Sequence, residues 1–293
     1  MKIAAFTFVK NAIKLDYPVV EAIQSVLPLA DEVVVAVGKS DDNTREVVAS
    51  IDTKVRIVDT VWDETLRSGG MVLAVETDKA FDAVGSDADW CIYIQADECL
   101  HEKYIPVVRQ AMEKYLDDND VEGLLFQYKH FYGSYDFLGD SRTWYRKEIR
   151  VIRNNKSIRS WKDAQGFRKN GQKLKVAEIN ADIYHYGWVR HPRFMMAKAH
   201  EANKLWHDDD YVNARFNPDT DFDYSQIDSI KRFEGTHPEV MTNRIERMNW
   251  TFDRDPTIKS FSFKTGLLYY LEKFIGWRPG EHQNYQIVRH LEG

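Results

Sequence analysis

Through the first hundred residues, short apolar runs alternate with amphipathic stretches. Residues 3–9 form a run of the buried-strand type. Residues 17–27 carry helical spacing, with Pro18 in the first turn, where a missing N–H costs nothing. Strand patterns recur at 32–37, 55–59 and 90–95, and a second helix is expected over 43–50. Met71, Ala74, Val75, Phe81 and Val84 repeat at helical spacing, as do Ile105, Val108, Met112 and Leu116. Strand–helix alternation of this kind implies parallel strands joined by right-handed crossovers, hence an α/β, Rossmann-like, mostly parallel sheet flanked by helices.

Beyond about Gly123 the pattern changes. Strand-like segments at 123–131 and 148–153 flank an aromatic, glycine-containing loop over 132–145, and a short strand is expected at 181–186. A helix follows over 192–206, then an Asp-rich stretch, 207–228, expected to be a solvated loop. Helices over 239–249 and 263–275 close the chain. The last one sets Leu267, Leu268, Leu271, Phe274 and Ile275 against Lys264, Glu272 and Lys273. Such a helix packs on the core or lies on a membrane surface or a partner.

Composition narrows the class. The 293 residues are 43% hydrophobic and 29% charged, the balance of a globular domain. A net charge of -6 argues against a nucleic-acid partner, since neutralising phosphates takes a basic face. Cys91 and Cys99 are the only cysteines; their spacing fits neither a disulfide nor a zinc site and suits a reducing cytoplasm. The apolar run at the N-terminus is short and lacks a small-residue cleavage site, so it reads as a strand. No segment is long and apolar enough to span a bilayer.

In parallel α/β sheets, ligands bind beyond the carboxyl ends of the strands. Those ends are Lys10-Asn11, residues 40–44, residues 59–63 and residues 95–98. The last is the strongest local signal: an apolar strand running into Gln95-Ala96-Asp97-Glu98. Closely spaced carboxylates there offer hard oxygen ligands for Mg²⁺ or Mn²⁺ shared with a diphosphate. His185, set among aromatics, reads as a hydrogen-bonded core residue or as a second ligand to a metal held by Asp97. Asp163 is a carboxylate in a polar stretch, ordinary when taken singly. Arg142, Arg146, Lys147, Arg150 and Arg153 read mostly as a solvated face. A P-loop, a G-x-G-x-x-G fingerprint and a G-x-S-x-G elbow are absent, which removes the commonest nucleotide and hydrolase signatures.

Taken in order, several segments resemble family 2 glycosyltransferases, in particular their bacterial lipopolysaccharide-core branch. Residues 33–44, VVVAVGKSDDNT, are similar to the family's second strand running into a D-x-G-S-x-D-x-T turn. Phe8-Val9-Lys10-Asn11, Ser25-Val26, Asp31-Glu32, Trp62, Gly69-Gly70, Asp89-Trp90 and Ala96-Asp97-Glu98 follow in the order that branch shows. The resemblance covers roughly residues 1–100 and weakens beyond them. It implies a GT-A fold over 1–190, with a nucleotide-sugar half (1–100) and an acceptor half (101–190), and a mainly helical extension over 191–293.

It implies also that Phe8, Lys10, Asn11, Ser40, Asp42 and Gln95 bind the donor, that Asp97 and His185 hold a divalent metal, and that Asp163 is the base. Three positions depart from the family pattern. Gln95 stands for the first D-x-D carboxylate, Val37 for the carboxylate beside the nucleobase, and Ala12 for the K-N-E glutamate. The expected activity is inverting, metal-assisted transfer from a nucleoside-diphosphate sugar to a glycan or lipid-linked acceptor, in cell-surface polysaccharide synthesis. The expected location is the cytoplasm or the inner face of the cell membrane, touched through the C-terminal helix. The departures motivate an alternative, a non-catalytic GT-A-like protein that binds a nucleotide or glycan. A nucleotidyltransferase needs a Gly-rich basic loop after the first strand, which residues 8–14 lack.

Overall fold

The computed structural model describes residues 1–276 and 278–290. Its first half runs β1 (Ile3–Val9), α1 (Val19–Val26), β2 (Glu32–Gly38), α2 (Thr44–Ala49), β3 (Val55–Thr60), α3 (Met71–Ala83), β4 (Trp90–Tyr93), β5 (Glu98–Leu100) and α4 (Ile105–Lys114). The second half continues β6 (Gly123–Tyr132), β7 (Ser134–Gly139), β8 (Lys147–Arg153), β9 (Ile158–Trp161), β10 (Gly166–Lys169), β11 (Gln172–Lys173), β12 (Lys175–Trp188), α5 (Pro192–Asn203) and α6 (Asp209–Arg215). It ends with β13 (Ile230–Arg232), α7 (Thr242–Glu246), α8 (Phe263–Ile275) and β14 (Gln286–Arg289).

The α/β class expected from the sequence is the one observed. β3, β2, β1 and β4 lie side by side in parallel, and β8, antiparallel to β4, begins a mixed half. Alternate side chains divide the core between the two faces of the sheet, as the strand period of two requires. Ile3, Ala5, Val33, Val35 and Ile92 meet Ala22, Ile23 and Val26 of α1 and Val108 and Met112 of α4. Ala4, Phe6, Val34, Ala36 and Tyr93 meet Ala80 and Phe81 of α3 and Phe167 of β10. Strands buried on both faces have no polar side to show, which is why they read as continuous apolar runs.

Several expectations change. The strand expected at 181–186 runs from Lys175 to Trp188, because its polar residues find partners: Glu178 pairs with Lys147 and Asp182 with Lys129. The 132–145 loop contains β7, and the helix expected over 239–249 is a 3-10 turn, Glu239–Met241, running into a short α-helix, Thr242–Glu246. The Asp-rich stretch is only partly loop. Asp208 caps α6 by accepting from the Tyr211 N–H at 2.8 Å, and Asp209 and Asp210 occupy its first turn. Carboxylates at that end interact favourably with the helix dipole.

The basic residues expected on a solvated face are tethers instead. Arg142 binds Glu272 at 2.7 Å, Arg146 binds Glu281 at 2.5 Å, and Arg150 is fully buried against Glu98. Arg153 stacks on Trp90 at 3.8 Å. Packing of the last helix on the core is not what the structure shows either: Tyr269 is its only buried residue, and Phe263 and Phe274 are 91% and 90% exposed. Cys91 and Cys99 are buried free thiols. No described helix is long and apolar enough to cross a membrane.

Candidate active site

A cavity of about 550 Å³ opens at the carboxyl ends of β1 and β4. β1 contributes Phe8, Lys10 and Asn11, and the turn after β4 contributes Gln95 and Asp97. Trp62, Glu64 and Arg67 come from the segment after β3, Asp163 from the β9–β10 turn, and Lys198, Trp206 and Asp209 from α5, α6 and their link. Arg67 binds Asp209 at 2.6 Å across the mouth, joining two walls far apart in sequence. Six of the residues proposed from the sequence thus line one space: Phe8, Lys10, Asn11, Gln95, Asp97 and Asp163.

Ser40 and Asp42 line a neighbouring cleft of about 420 Å³ at the ends of β2 and β3. Their polar atoms are engaged with the loop after β1. The Ser40 hydroxyl accepts from the Asn11 N–H at 3.0 Å, and the Asp42 carboxylate accepts from the Lys14 N–H at 2.7 Å and the Thr44 N–H at 3.0 Å. Ser40, together with the Asp41 N–H that donates to Asn11 Oδ1 at 2.8 Å, holds Asn11, whose φ is 53°, in the left-handed region.

His185 does not line the cavity but reaches it through Asp97. β12 pairs antiparallel with β5, setting His185 opposite Glu98, and the Tyr186 N–H donates to the Asp97 carbonyl at 2.8 Å. The His185 Nε2 then lies 3.9 Å from Asp97 Oδ1. β6 pairs with β12 on the other side and sets His130 beside His185. His130 Nε2 must donate to the Tyr145 carbonyl (2.8 Å), and burial keeps the His130 imidazole neutral by pushing its pKa well down. Its Nδ1 therefore accepts from His185 Nδ1 at 3.0 Å. The network leaves a lone pair on His185 Nε2, on the side of Asp97. Burial also lowers the His185 pKa, against the opposing pull of Asp97.

Lys198 donates to Asp97 Oδ2 at 3.0 Å and to the Gly187 carbonyl at 2.8 Å. Burial alone would raise the Asp97 pKa, but the charges of Lys198 and Arg190 hold it well below the usual carboxylate range, and proton sharing with His185 acts in the same direction. Burial lowers Lys198 to about 8, helped by Arg190 and opposed by Asp97. Arg190 is fully buried, and its guanidinium lies over the Tyr17 ring at 4.7 Å. Among the described residues its three side-chain nitrogens find no hydrogen-bond partner of good geometry.

Asp163 sits on a strained turn: Lys162 and Ala164, on either side of it, have φ values of 55° and 61°. Non-glycine residues hold that conformation only where their surroundings enforce it, and such strain gathers at functional sites. The enforcement is visible. Gln95 Nε2 donates to the Ala164 carbonyl at 3.2 Å, and Arg150 Nη1 donates to the Gln165 carbonyl at 3.0 Å. Gly70, at φ 68°, lets α3 begin against this turn; a Cβ there would lie 3.0 Å from the Asp163 Cβ and 2.8 Å from the Trp206 ring.

The fit to a divalent metal can be tested on these residues. Asp97 Oδ1 and the lone pair of His185 Nε2 are a hard oxygen and an imidazole facing one gap. Gly187 keeps that gap open: a Cβ on it would come within 2.4 Å of His185 Nε2 and 3.0 Å of Asp97 Oδ2. The carboxylate suits Mg²⁺ or Mn²⁺, while an imidazole favours transition metals over Mg²⁺, so of these two ions Mn²⁺ fits the pair better. Among the described residues no third His, Cys, Asp or Glu completes a metal-holding group. An ion here needs oxygens from a bound diphosphate and from water.

Lys198, Trp206, Arg67 and Asp209 escaped the sequence reading. Nothing in their local pattern marks them; α5 looks like any half-apolar helix, and only the tertiary fold turns Lys198 toward Asp97.

No protein-family model matches the chain, and no curated protein is similar to it in sequence. Among solved structures it is similar to S. aureus TarS 1-349 in complex with UDP-GlcNAc, at 18% identity over 48% of this chain and 38% of that chain, with a TM-score of 0.35. It is similar also to glucosyl-3-phosphoglycerate synthase from Mycobacterium tuberculosis, solved with Mn²⁺, UDP and glucosyl-3-phosphoglycerate, at 19% identity over 45% of this chain and 44% of that chain, TM-score 0.29. A third is the 4-diphosphocytidyl-2C-methyl-D-erythritol synthase from Anaerococcus prevotii, at 10% identity over 52% of this chain and 70% of that chain, TM-score 0.32. The chain spans between 38% and 64% of the length of the TarS structures. With TM-scores below 0.4 these are partial likenesses in the course of the chain.

Proposed function

We propose that the protein transfers a sugar, with inversion, from a nucleoside-diphosphate sugar to a hydroxyl of a glycan or lipid-linked acceptor in cell-surface polysaccharide synthesis. One observation carries the reading: Asp163, on a strained turn, shares a single cavity with the ends of β1 and β4. A volume of about 550 Å³ lies within the usual range for small-molecule sites. Lys10 and Asn11 at the end of β1, with Phe8 and Trp62 beside them, offer a charged and aromatic wall to a nucleotide.

In this reaction Asp163 accepts the proton of the acceptor hydroxyl as its oxygen bonds to the anomeric carbon. The bond from that carbon to the diphosphate oxygen breaks, and the nucleoside diphosphate leaves with the electron pair. Gln95 holds the Asp163 turn in place through the Ala164 carbonyl, a positioning task that an amide performs and a carboxylate cannot. Asp97 and His185 would hold the divalent metal, which when bound offsets charge developing on the leaving group. The Arg67–Asp209 pair ties the segment after β3 to α6 at one side of the cavity. For a lipid-linked acceptor, the exposed apolar residues of α8 are the part of the chain suited to the cytoplasmic face of the membrane.

The test is a panel of nucleotide sugars and acceptors, with release of nucleoside diphosphate and formation of product both measured. Asp163→Asn is expected to lower turnover by about 10²–10⁴-fold while donor affinity stays within about twofold. Nucleotide binding without turnover of any donor would favour the non-catalytic alternative. Absence of both binding and turnover would remove the two readings together.

A further inference from the structure

Asp97 presents its two oxygens to two different places. Oδ1 faces the gap shared with His185 Nε2 at 3.9 Å, while Oδ2 is already bound by the Lys198 ammonium at 3.0 Å. Lys198 also lines the cavity, its side chain only 15% exposed, and is anchored a second time on the Gly187 carbonyl at 2.8 Å. A fixed cation therefore stands on Asp97, a carboxylate that lines the cavity.

The neighbouring charges lead to the same place. Glu98, next in sequence, is fully buried and taken up by Arg150 through contacts of 2.8 Å on each oxygen, with the Tyr128 hydroxyl donating at 2.7 Å. Gln95 carries no charge. Arg190 adds a second buried cation, its guanidinium over the same Tyr17 ring as the Lys198 ammonium, at 4.7 Å and 5.0 Å. Asp97 is thus balanced by groups belonging to the chain, and the corner has no excess of negative charge that a metal must cancel before an anion enters. Attraction between opposite charges strengthens as water is excluded, so an ammonium held in this enclosed corner acts on an anion more strongly than one in open solvent.

We propose that Lys198 supplies a fixed positive charge to the donor's diphosphate, so that the cavity binds nucleoside diphosphates without a metal. The inference rests on the reading of this cavity as a nucleotide-sugar site and adds to it the cation the chain itself provides. A divalent ion in the gap between Asp97 and His185 then strengthens binding and is not its condition.

The experiment is calorimetric titration of the full chain, dialysed against EDTA, with UDP, GDP, CDP, dTDP and ADP. It is repeated in Mn²⁺ and with Lys198→Met, Lys198→Gln and Lys198→Arg. At least one nucleotide should bind the unmodified protein in EDTA. Lys198→Met should weaken that binding tenfold or more, and Lys198→Arg should keep it within about threefold. Lys198→Gln retains a donor for Asp97 and serves if the methionine variant does not fold; it too should lose the EDTA binding. Binding that requires Mn²⁺ in the unmodified protein, or that survives unchanged in both uncharged variants, overturns the role of Lys198 and leaves the nucleotide site standing. Failure of every nucleotide to bind, with and without Mn²⁺, overturns the site and the inference with it.

Discussion

Asp97 and Glu98 are joined by one peptide bond, yet the fold sends them to different electrostatic surroundings. Asp97 faces the cavity with Lys198 on one oxygen, and Glu98 is locked to Arg150 beneath the turn that carries Asp163. A buried pair of this kind is costly to break from one side, about 3–5 kcal/mol, because the remaining charge has no solvent. A third carboxylate, Glu148, has a less complete set of partners. Its Oε1 accepts from Gln165 at 2.9 Å, while Oε2 is buried with no partner among the described residues. Burial pushes its pKa from an ordinary 4.5 up to about 8, against the pull of Arg150. A carboxyl raised in the folded state contributes stability that is complete below pH 4.5 and is lost as pH rises toward 8. Each unit of that window is worth at most about 1.4 kcal/mol. Glu148→Gln should therefore flatten the decline in unfolding free energy between pH 5 and 8, measured by urea titration. Equal declines in both proteins would show that Glu148 is not the group holding the proton.

At the scale of elements, the catalytic candidate rides on a hairpin, β9–β10, outside the main sheet. Phe167 fastens this hairpin to the sheet, with its ring 5.3 Å from Tyr93 and 6.3 Å from Phe6. Truncating a fully buried aromatic costs about 3–5 kcal/mol. Phe167→Ala should lower stability by that amount in denaturant titration and reduce turnover more than nucleotide affinity, since Asp163 loses its footing while the end of β1 keeps its own. A loss of affinity without loss of stability would contradict this division. The hairpin was missed in the sequence because its polar residues hide the period: Ser160 and Arg168 are both buried, Ser160 through a backbone N–H that donates to Asp78 at 2.8 Å and Arg168 through a guanidinium that donates to the Asn284 carbonyl at 2.7 Å. β12 was shortened for the same reason, its polar residues being paired across strands.

At the scale of the molecule, the second half closes the site that the first half opens. α5 and α6 supply one wall, and the C-terminal segment is strapped to the sheet by Arg142–Glu272, Arg146–Glu281 and the pairing of β14 with β12. α8 hangs on this strap through Tyr269, whose hydroxyl donates to Asp140 at 2.5 Å, and leaves Phe263, Leu267, Tyr270 and Phe274 in solvent. Exposed side chains of this sort contribute little to folding. The double change Phe263→Ser with Phe274→Ser should alter unfolding free energy by no more than about 0.5 kcal/mol. A loss above 2 kcal/mol, read from chemical denaturation, would show that the stripe is packed after all.

The parallel half of the fold was legible from local pattern. Strands covered on both faces must be apolar throughout, and crossover helices must keep one apolar face, so Ile3, Val35 and Ile23 announce their places. Asp97 was legible as well, because the carboxyl end of a parallel strand is where a sheet exposes side chains to a ligand. What only tertiary structure decided is which polar residues meet there. His185 reaches Asp97 through the β5–β12 register, Asp163 through a hairpin pinned by Phe167, and Lys198 from a helix a hundred residues further on. Charge and hydrogen-bond partners act across space with no period along the chain, so a lone Lys or His carries no mark of the company it will keep.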